Sequence, residues 1–468
     1  MARDLTLYWW GQTASTVGSL FTAVALPVVA VVHLDATPGQ ISLIGAAATL
    51  PALLFGLPAG VLADRISRPR RTLVLLDTVS ALAIAAVAAA VAGDVVSIPW
   101  LIALALVTGS VSVVTEVVYF LHLNQLAEAG ELTRARARLQ AGQFGAGLVG
   151  RLAAGPAIVA FGTATALAVD AASYLLSATA LLVMTPVAPL DRTPRTGPSA
   201  FVRDALAGAR ILFDTPFYRA LMLLLAVPVF TSAGTGALGG IYLLHTLRVP
   251  TGVFGLVGMV AGLLGLLGST LAGRVLAPPR DARRVVVLCY AASSLGALLY
   301  PAAGGPLPLA LVLAGLGLGV PALFGAVANV ALSPVLVDGT SEEALGRVMA
   351  TLHVYAGALG LVGALTGGLL GDRFGIRPAI WMLAGVSAAV MLLTAPLALR
   401  TIRHAPPRPE PGPAPPRRPP PPRREHPGTH RRHNPNTSAS VRAWDYAERT
   451  APPHAPRSKD CGNSPPSA

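Results

Sequence analysis

The sequence predicts an all-α membrane protein: twelve transmembrane helices in two parallel six-helix repeats. Three observations predict it. Only 12% of the 468 residues are charged and the mean hydropathy is +0.62, whereas soluble domains carry roughly 25% charged residues. Apolar runs recur from Leu7 to Leu399, and runs of about 20 residues are long enough to cross a bilayer as helices. A short, basic, glycine-led loop also occurs twice, 213 residues apart, from Gly60 and from Gly273. Backbone polar groups in lipid must be satisfied within a segment or in a closed barrel. These runs are too long and unbroken for barrel strands.

Helices are expected over 7–32, 39–63, 72–92, 99–121, 139–161 and 165–186, then over 217–244, 251–273, 285–304, 306–330, 347–370 and 378–400. The chain thus divides into an N-terminal half (1–186), a central loop (187–216), a C-terminal half (217–400) and a tail (401–468). Arginine bias sets the orientation. One set of loops holds Arg65, Arg68, Arg70 and Arg71, then Arg134, Arg136 and Arg138, then Arg192, Arg195 and Arg203, then Arg280, Arg283 and Arg284. The opposite loops at 33–38, 93–98 and 161–164 have no Lys or Arg; Arg248, Arg373 and Arg377 are the exceptions. Both termini and the central loop are therefore expected in the cytoplasm, with the chain multi-pass in a bacterial cell membrane. The repeat extends beyond the loop. Arg70-Arg71 and Arg283-Arg284, Arg134 and Arg347, and Gly155–Gly162 and Gly368–Gly375 share the same offset. An even number of helices per repeat keeps the halves parallel, and such halves place a substrate site near the midplane between them.

Taken in order, the elements carry these features. Helix 1 follows Arg3 with no convincing cleavage site and reads as an uncleaved first helix. Its Tyr8, Trp9 and Trp10 suit an interfacial belt. Gly60 permits close approach of helix 2 to a neighbour. Asp64 suits a helix N-terminus or an arginine partner. At the second copy Asp64 becomes Ala277 and Arg65 becomes Pro278, so an acid-based latch belongs to the first half; the alternative is a loop serving topology alone. The acids within helices are Asp77, Glu116 and Asp170. Glu116 in helix 4 is the first candidate to carry a proton, because burial disfavours the charged form of a carboxylate. Asp77 and Asp170 lie nearer helix ends, where capping or pairing competes with that role. Arg151, near the middle of helix 5, is costly in lipid and must face the interior or a wet cavity. There it meets an anionic substrate, an acid, or another helix. Pro156 permits a bend. Glycines at 255, 258, 262, 265 and 268, and at 357, 360, 363 and 367, recur at helical spacing and suit close packing. His353 is either titratable or a packed polar residue. Asp372-Arg373-Phe374-Gly375 imitates the latch but falls on the opposite side by helix count, so no latch role is expected there.

From Thr401 onward, 12 Arg+Lys stand against 5 Asp+Glu, giving the tail +7 of the +13 formal charge. Rich in Pro, Arg and His, it is expected to be disordered, either inert or touching anionic headgroups. No nucleic-acid motif accompanies the charge. Cys289 and Cys461 are the only cysteines, one in a helix and one in the tail, so neither a disulfide nor a metal site is expected. No P-loop, metal constellation or Ser/His/Asp arrangement appears. The chain reads as neither an enzyme nor a cofactor binder, and its energy source as an ion gradient.

The loop Gly60-Val-Leu-Ala-Asp-Arg-Ile-Ser-Arg-Pro-Arg-Arg71, with the helix count and the repeat, resembles the signature of the major facilitator superfamily over about residues 5–400. The segment Leu139–Pro156, followed by Asp170-Ala-Ala-Ser-Tyr-Leu-Leu-Ser177, is similar to the macrolide-efflux and siderophore-exporter branch. The resemblance implies the major facilitator fold. It also implies a cytoplasmic latch built from Gly60, Asp64, Arg65, Arg68, Arg70 and Arg71. Gly142, Gly155 and Pro156 partly match an exporter signature of helix 5; plain packing is the alternative. Helices 1 and 7 are implied to line a central cavity, with Gln12, Ser15, Ser19, Thr231 and Thr235 as candidates beside Arg151 and His353. Thr13, Thr16, Thr22 and Ser232 share those helices. Many relatives carry an acid after the mid-helix glycine of helix 1; here Ser19 follows Gly18, which counts against proton coupling through that helix. The expected function is a secondary transporter, monomeric, exporting small apolar or amphipathic molecules in exchange for protons. An importer or facilitator of a metabolite, and a transporter-like receptor or scaffold, are the alternatives.

Overall fold

A computed structural model describes residues 2–55, 66–126, 132–185, 210, 216–277, 281–339 and 342–403. Among them, twelve helices are long and apolar enough to cross a membrane. They are α1 (Ala2–Val28, continued by a π-helical turn over Val29–His33), α2 (Pro38–Phe55), α3 (Pro69–Ala92), α4 (Ile98–Leu126), α5 (Leu132–Phe161), α6 (Thr163–Val183), α7 (Pro216–Ile241, with a π-helical turn over Tyr242–Thr246), α8 (Thr251–Val275), α9 (Ala282–Gly296, with a turn over Leu299–Ala302), α10 (Leu307–Gly339), α11 (Glu342–Phe374) and α12 (Ile376–Arg403). Gly60, Asp64 and Arg65, most of 187–216 and the tail beyond Arg403 lie outside the described residues. Several helices outrun the sequence-based spans: α4 continues to Leu126, α5 starts at Leu132 and α10 reaches Gly339. Hydropathy ends where lipid ends, whereas a helix continues into water through residues such as Asn124 and Gln125.

The helices pack in a pattern that repeats with a six-helix shift. In the first half α1 packs on α5 and α6, α3 on α4 and α6, and α2 on α4; in the second α7 packs on α11 and α12, α9 on α10 and α12, and α8 on α10. Backbone detail repeats at the offset read from the sequence. The π-helical turns begin at Val29 and Tyr242, 213 residues apart. Asp35 and Arg248 both adopt positive φ, at 44° and 52°, and so do Gly162 and Gly375, at 85° and 89°. Leu34 N–H donates to the Val29 carbonyl as Leu247 N–H does to Tyr242. Duplicated segments thus keep their irregular turns as well as their helices.

Two seams join the halves: α2 against α11, and α5 against α8. On the first, Gly39 N–H donates to Asp372 Oδ1 at 3.1 Å; a Cβ on Gly371 would come 2.7 Å from Pro38. On the second, a Cβ on Gly155 would come 2.7 Å from the carbonyl oxygens of Thr251 and Gly252, and Gly255 lies against the Arg151 carbonyl. Arg151 Nη1 donates to the Gly258 carbonyl at 3.2 Å. These contacts gather towards the side that carries the turns at 34–37, 162, 247–250 and 375. Asp372, expected to have no latch role, sits on the N-terminal backbone of α2, where a carboxylate is favoured by the free N–H groups and the helix dipole.

Within the second half, a Cβ on Gly367 of α11 would come 2.5 Å from the Gly234 carbonyl of α7, whereas one on Gly385 meets nothing within 4 Å. Gly367→Val is therefore expected to destabilise the protein by about 1–3 kcal/mol through overpacking, read as a lower melting temperature in detergent. Gly385→Ala is expected to leave the melting temperature unchanged or to raise it.

Candidate functional site

A cavity of about 420 Å³ lies in the N-terminal half, within the range of small-molecule sites. Its wall comes from five helices: Gln12, Ser15, Thr16 and Ser19 from α1; Asp77 and Ser80 from α3; Thr108, Val111, Ser112, Thr115, Glu116 and Tyr119 from α4; Gln143 from α5; and Tyr174 from α6. The α1 residues recur at helical spacing, so one face of that helix supplies them. Val111 is the sole aliphatic side chain of the wall.

Three polar atoms of the wall are buried without a hydrogen-bond partner: Asp77 Oδ2, Thr115 Oγ1 and Tyr119 OH. Asp77 is 3% exposed. A buried carboxylate oxygen left without a partner is costly while charged; a proton or a cationic group completes it. Glu116, the first candidate from sequence, faces the same cavity but is exposed. Of the two acids, Asp77, expected to cap or pair near a helix end, is the buried one, and Glu116 is the exposed one.

Asp170 stands behind this wall. Fully buried on α6, it accepts from Thr22 Oγ1 and, at 3.3 Å, from Ser173 Oγ. A Cβ on Gly18 would come 2.8 Å from Asp170 Oδ1, and Ser19 Oγ bonds Tyr174 OH at 3.1 Å. The acid that sequence reasoning found missing from helix 1 is supplied to the same place by α6. Only a known α1–α6 contact reveals this.

Other expected cavity residues lie elsewhere. Thr231, Thr235, His353 and Arg151 do not line this cavity. Thr231 Oγ1 turns back to the Val227 carbonyl of its own helix, and Arg151 is held on α8. The helix 5 signature serves contact: Gly142 lies against Trp9 and Thr13, Gly155 against α8, and Pro156 is exposed. Of the described latch arginines, Arg68 and Arg71 are exposed, while Arg70 donates through Nε and Nη2 to the carbonyls of Leu181 and Leu182. It thus caps the C-terminus of α6, where a cation is favoured. Tyr8 is no belt residue: it is 1% exposed, stacked on Tyr119 with centroids 4.8 Å apart. His122, which drew no attention in the sequence, is fully buried with its ring edge-on to Tyr8. Trp10 is exposed as a belt requires.

Several positions of the C-terminal half that correspond to this wall are apolar and lie in or against the core instead. At the 213-residue offset, Asp77 corresponds to Tyr290, Glu116 to Asn329, Gln12 to Leu225, Thr115 to Ala328 and Tyr119 to Leu332. Leu225, Tyr290 and Ala328 belong to one buried apolar cluster, with Leu332 packed against it. Tyr290 OH donates to Asn329 Oδ1 at 3.4 Å.

The sequence description of the Major Facilitator Superfamily matches residues 8–331 and 281–447. The chain belongs to the major facilitator superfamily. Solved structures with the same fold include the nucleoside transporter NupG (15% identity, TM-score 0.65, covering 86% of this chain and 100% of that one). Others are a POT family transporter in complex with 5-aminolevulinic acid (11% identity, TM-score 0.62, covering 85% and 96%) and a bacterial homolog of the human lysosomal transporter Spinster (15% identity, TM-score 0.62, covering 86% and 96%). Comparison with curated proteins finds no match. As a superfamily member the protein is a multi-pass secondary transporter rather than an enzyme. The cavity has the size and the convergent polar groups of a small-molecule site in a helix bundle.

Removing the guanidinium that caps α6 is expected to cost about 1 kcal/mol, so Arg70→Ala should lower the melting temperature. Arg70→Lys keeps the charge but not the paired geometry and should recover part of the loss.

Proposed function

We propose that the protein exports small amphipathic molecules in exchange for protons, by alternating access of one polar cavity. The observation that carries this reading is Asp77: a buried carboxylate with one unpartnered oxygen in the wall of a cavity of substrate size. Such a group has two stable completions, a proton and a polar or charged substrate group, and exchange needs both. The groups near its carboxyl are Ser177 and Tyr174 of α6 and Tyr8 of α1, while Glu116 and Tyr119 of α4 share the cavity wall. The export direction rests on the helix 5 segment, which resembles the macrolide-efflux and siderophore-exporter branch. A wall of hydroxyls and amides favours an amphipathic substrate over a purely apolar one. The protein works as a monomer in a bacterial cytoplasmic membrane with both termini inside, an orientation supported by the arginine bias. The seam at Asp372 and Gly39 closes the outer side, and the loop from Gly60 to Arg71 latches the inner side when the seam opens.

Cells expressing the protein are expected to expel members of a panel of dyes and macrolides, and to stop when a protonophore is added. Asp77→Asn should abolish gradient-driven efflux. Glu116→Gln should slow it at least fivefold but leave it pH-dependent. Gradient-insensitive flux, or none for any compound, counts against proton-coupled export. For the seam, Ser112→Cys in a cysteine-free background reports access to the cavity. Adding Asp372→Ala should increase its labelling by an impermeant thiol reagent applied from outside; unchanged labelling removes Asp372 as a closing contact.

A further inference from the structure

We propose that the cavity selects organic cations: the substrate carries a positively charged nitrogen, bound between Asp77 and Glu116 and bordered by the rings of Tyr119 and Tyr174. The proposal rests on the transport reading above and adds the chemical class of the substrate. Its first support is charge. Among the described residues the wall holds two carboxyl side chains and no Arg, Lys or His. Arg151, the cation that sequence reasoning placed in the cavity, is held on the Gly258 carbonyl, in a groove where a Cβ on Gly258 or Gly262 would meet its side chain. An anionic substrate would meet two acids and no compensating cation; a cation meets the opposite.

The second support is incomplete bonding. Asp77, Thr115 and Tyr119 line the cavity, and Asp77 Oδ2, Thr115 Oγ1 and Tyr119 OH are buried without a partner. A cationic N–H group that reaches any of them supplies the missing donor, since a hydroxyl accepts as well as donates. A quaternary nitrogen instead uses charge and the two tyrosine faces, as cations over aromatic rings do.

The third is size and chemistry. A cavity of about 420 Å³ exceeds the needs of a bare metal ion, and no cluster of three or more His, Cys, Asp or Glu suited to a metal occurs among the described residues. The serine, threonine and glutamine side chains around the acids suit hydroxyl, ether or amide groups on the remainder of the molecule. The C-terminal half adds no acid at the corresponding positions, where Tyr290 and Asn329 bond each other.

The test is equilibrium binding to the purified full chain in nanodiscs, with no gradient present. Three probes of related size are compared: ethidium, a permanent cation; the uncharged phenanthridine from which N-ethylation makes it, 3,8-diamino-6-phenylphenanthridine; and fluorescein, an anion at pH 7. Ethidium is expected to bind at least tenfold more tightly than the uncharged phenanthridine, with fluorescein failing to compete. Asp77→Asn and Glu116→Gln are each expected to weaken ethidium at least fivefold. Glu116 is exposed to the cavity, so Glu116→Gln tests the proposal even if Asp77→Asn does not fold; melting curves of both establish folding. Equal affinity for ethidium and the uncharged phenanthridine, preferential binding of fluorescein, no binding of ethidium, or full ethidium affinity in folded Glu116→Gln each overturns it. Flux into proteoliposomes separates the two readings. A neutral probe moved by a proton gradient sinks the cation proposal alone, whereas bound ethidium that no gradient moves sinks the transport reading alone.

Discussion

Contact between helix backbones is the constraint on which this bundle depends. In lipid, no hydrophobic difference separates a helix face from an acyl chain, so helices associate through close packing and polar contacts. Glycine permits that packing, and it recurs at several of the principal crossings. Gly363 lies against the Phe230 carbonyl, Gly268 against Leu323, Gly317 against the Tyr300 backbone and Gly109 against the Ala48 carbonyl. None of these positions has room for a methyl group. The glycine rows read from the sequence as packing surfaces are such surfaces, and helix order follows from which rows meet.

The two seams between the halves use the same contact with a polar pin added. Gly155 and Gly255 bring α5 onto α8, and Arg151 pins the crossing through Gly258; Gly368 and Gly371 bring α11 onto α2, and Asp372 pins it through Gly39. The pins differ in kind, a cation on a carbonyl and a carboxylate on an N–H group. Both join a side chain of one half to the backbone of the other, so each is broken by moving the halves apart without unfolding either. A seam made of a few such bonds over glycine suits a joint that opens. A seam of interdigitated large side chains does not.

The fold was legible because the duplication left arithmetic in the chain. The offset of 213 residues from Gly60 to Gly273 also relates the π-helical turns at Val29 and Tyr242 and the positive φ angles of Asp35 and Arg248. The site was less legible, for one physical reason: sequence gives the position of a residue along a helix but not the rotation of the helix about its axis. That rotation turns Asp77 into a buried wall residue and leaves Glu116 open to the cavity. It carries Arg151 onto α8 and brings Asp170 behind Gly18. Gln12, Ser15 and Ser19 line the cavity because they share one face, whereas Thr231 and Thr235, at related positions of the second half, do not line it.

That last asymmetry has a mechanical meaning. A cavity between two equivalent halves must be remade each time they move, because half its wall leaves. Here the described wall belongs to α1, α3, α4, α5 and α6 of one half, and some of the corresponding positions of the other half, Leu225, Tyr290 and Ala328, lie in buried core. On the proposed reading, a substrate held by such a wall would keep its contacts while the partner half rocks, so access would change without loss of the binding geometry. The division also separates two demands. A half that binds needs buried polar groups left incomplete, which costs stability; a half that moves as a rigid body needs complete packing. Asp77 with an open oxygen and Tyr290 bonded to Asn329 are the two outcomes at one repeated position. Duplication supplied two copies of the same frame, and the packed copy provides the rigidity against which the incomplete one can bind.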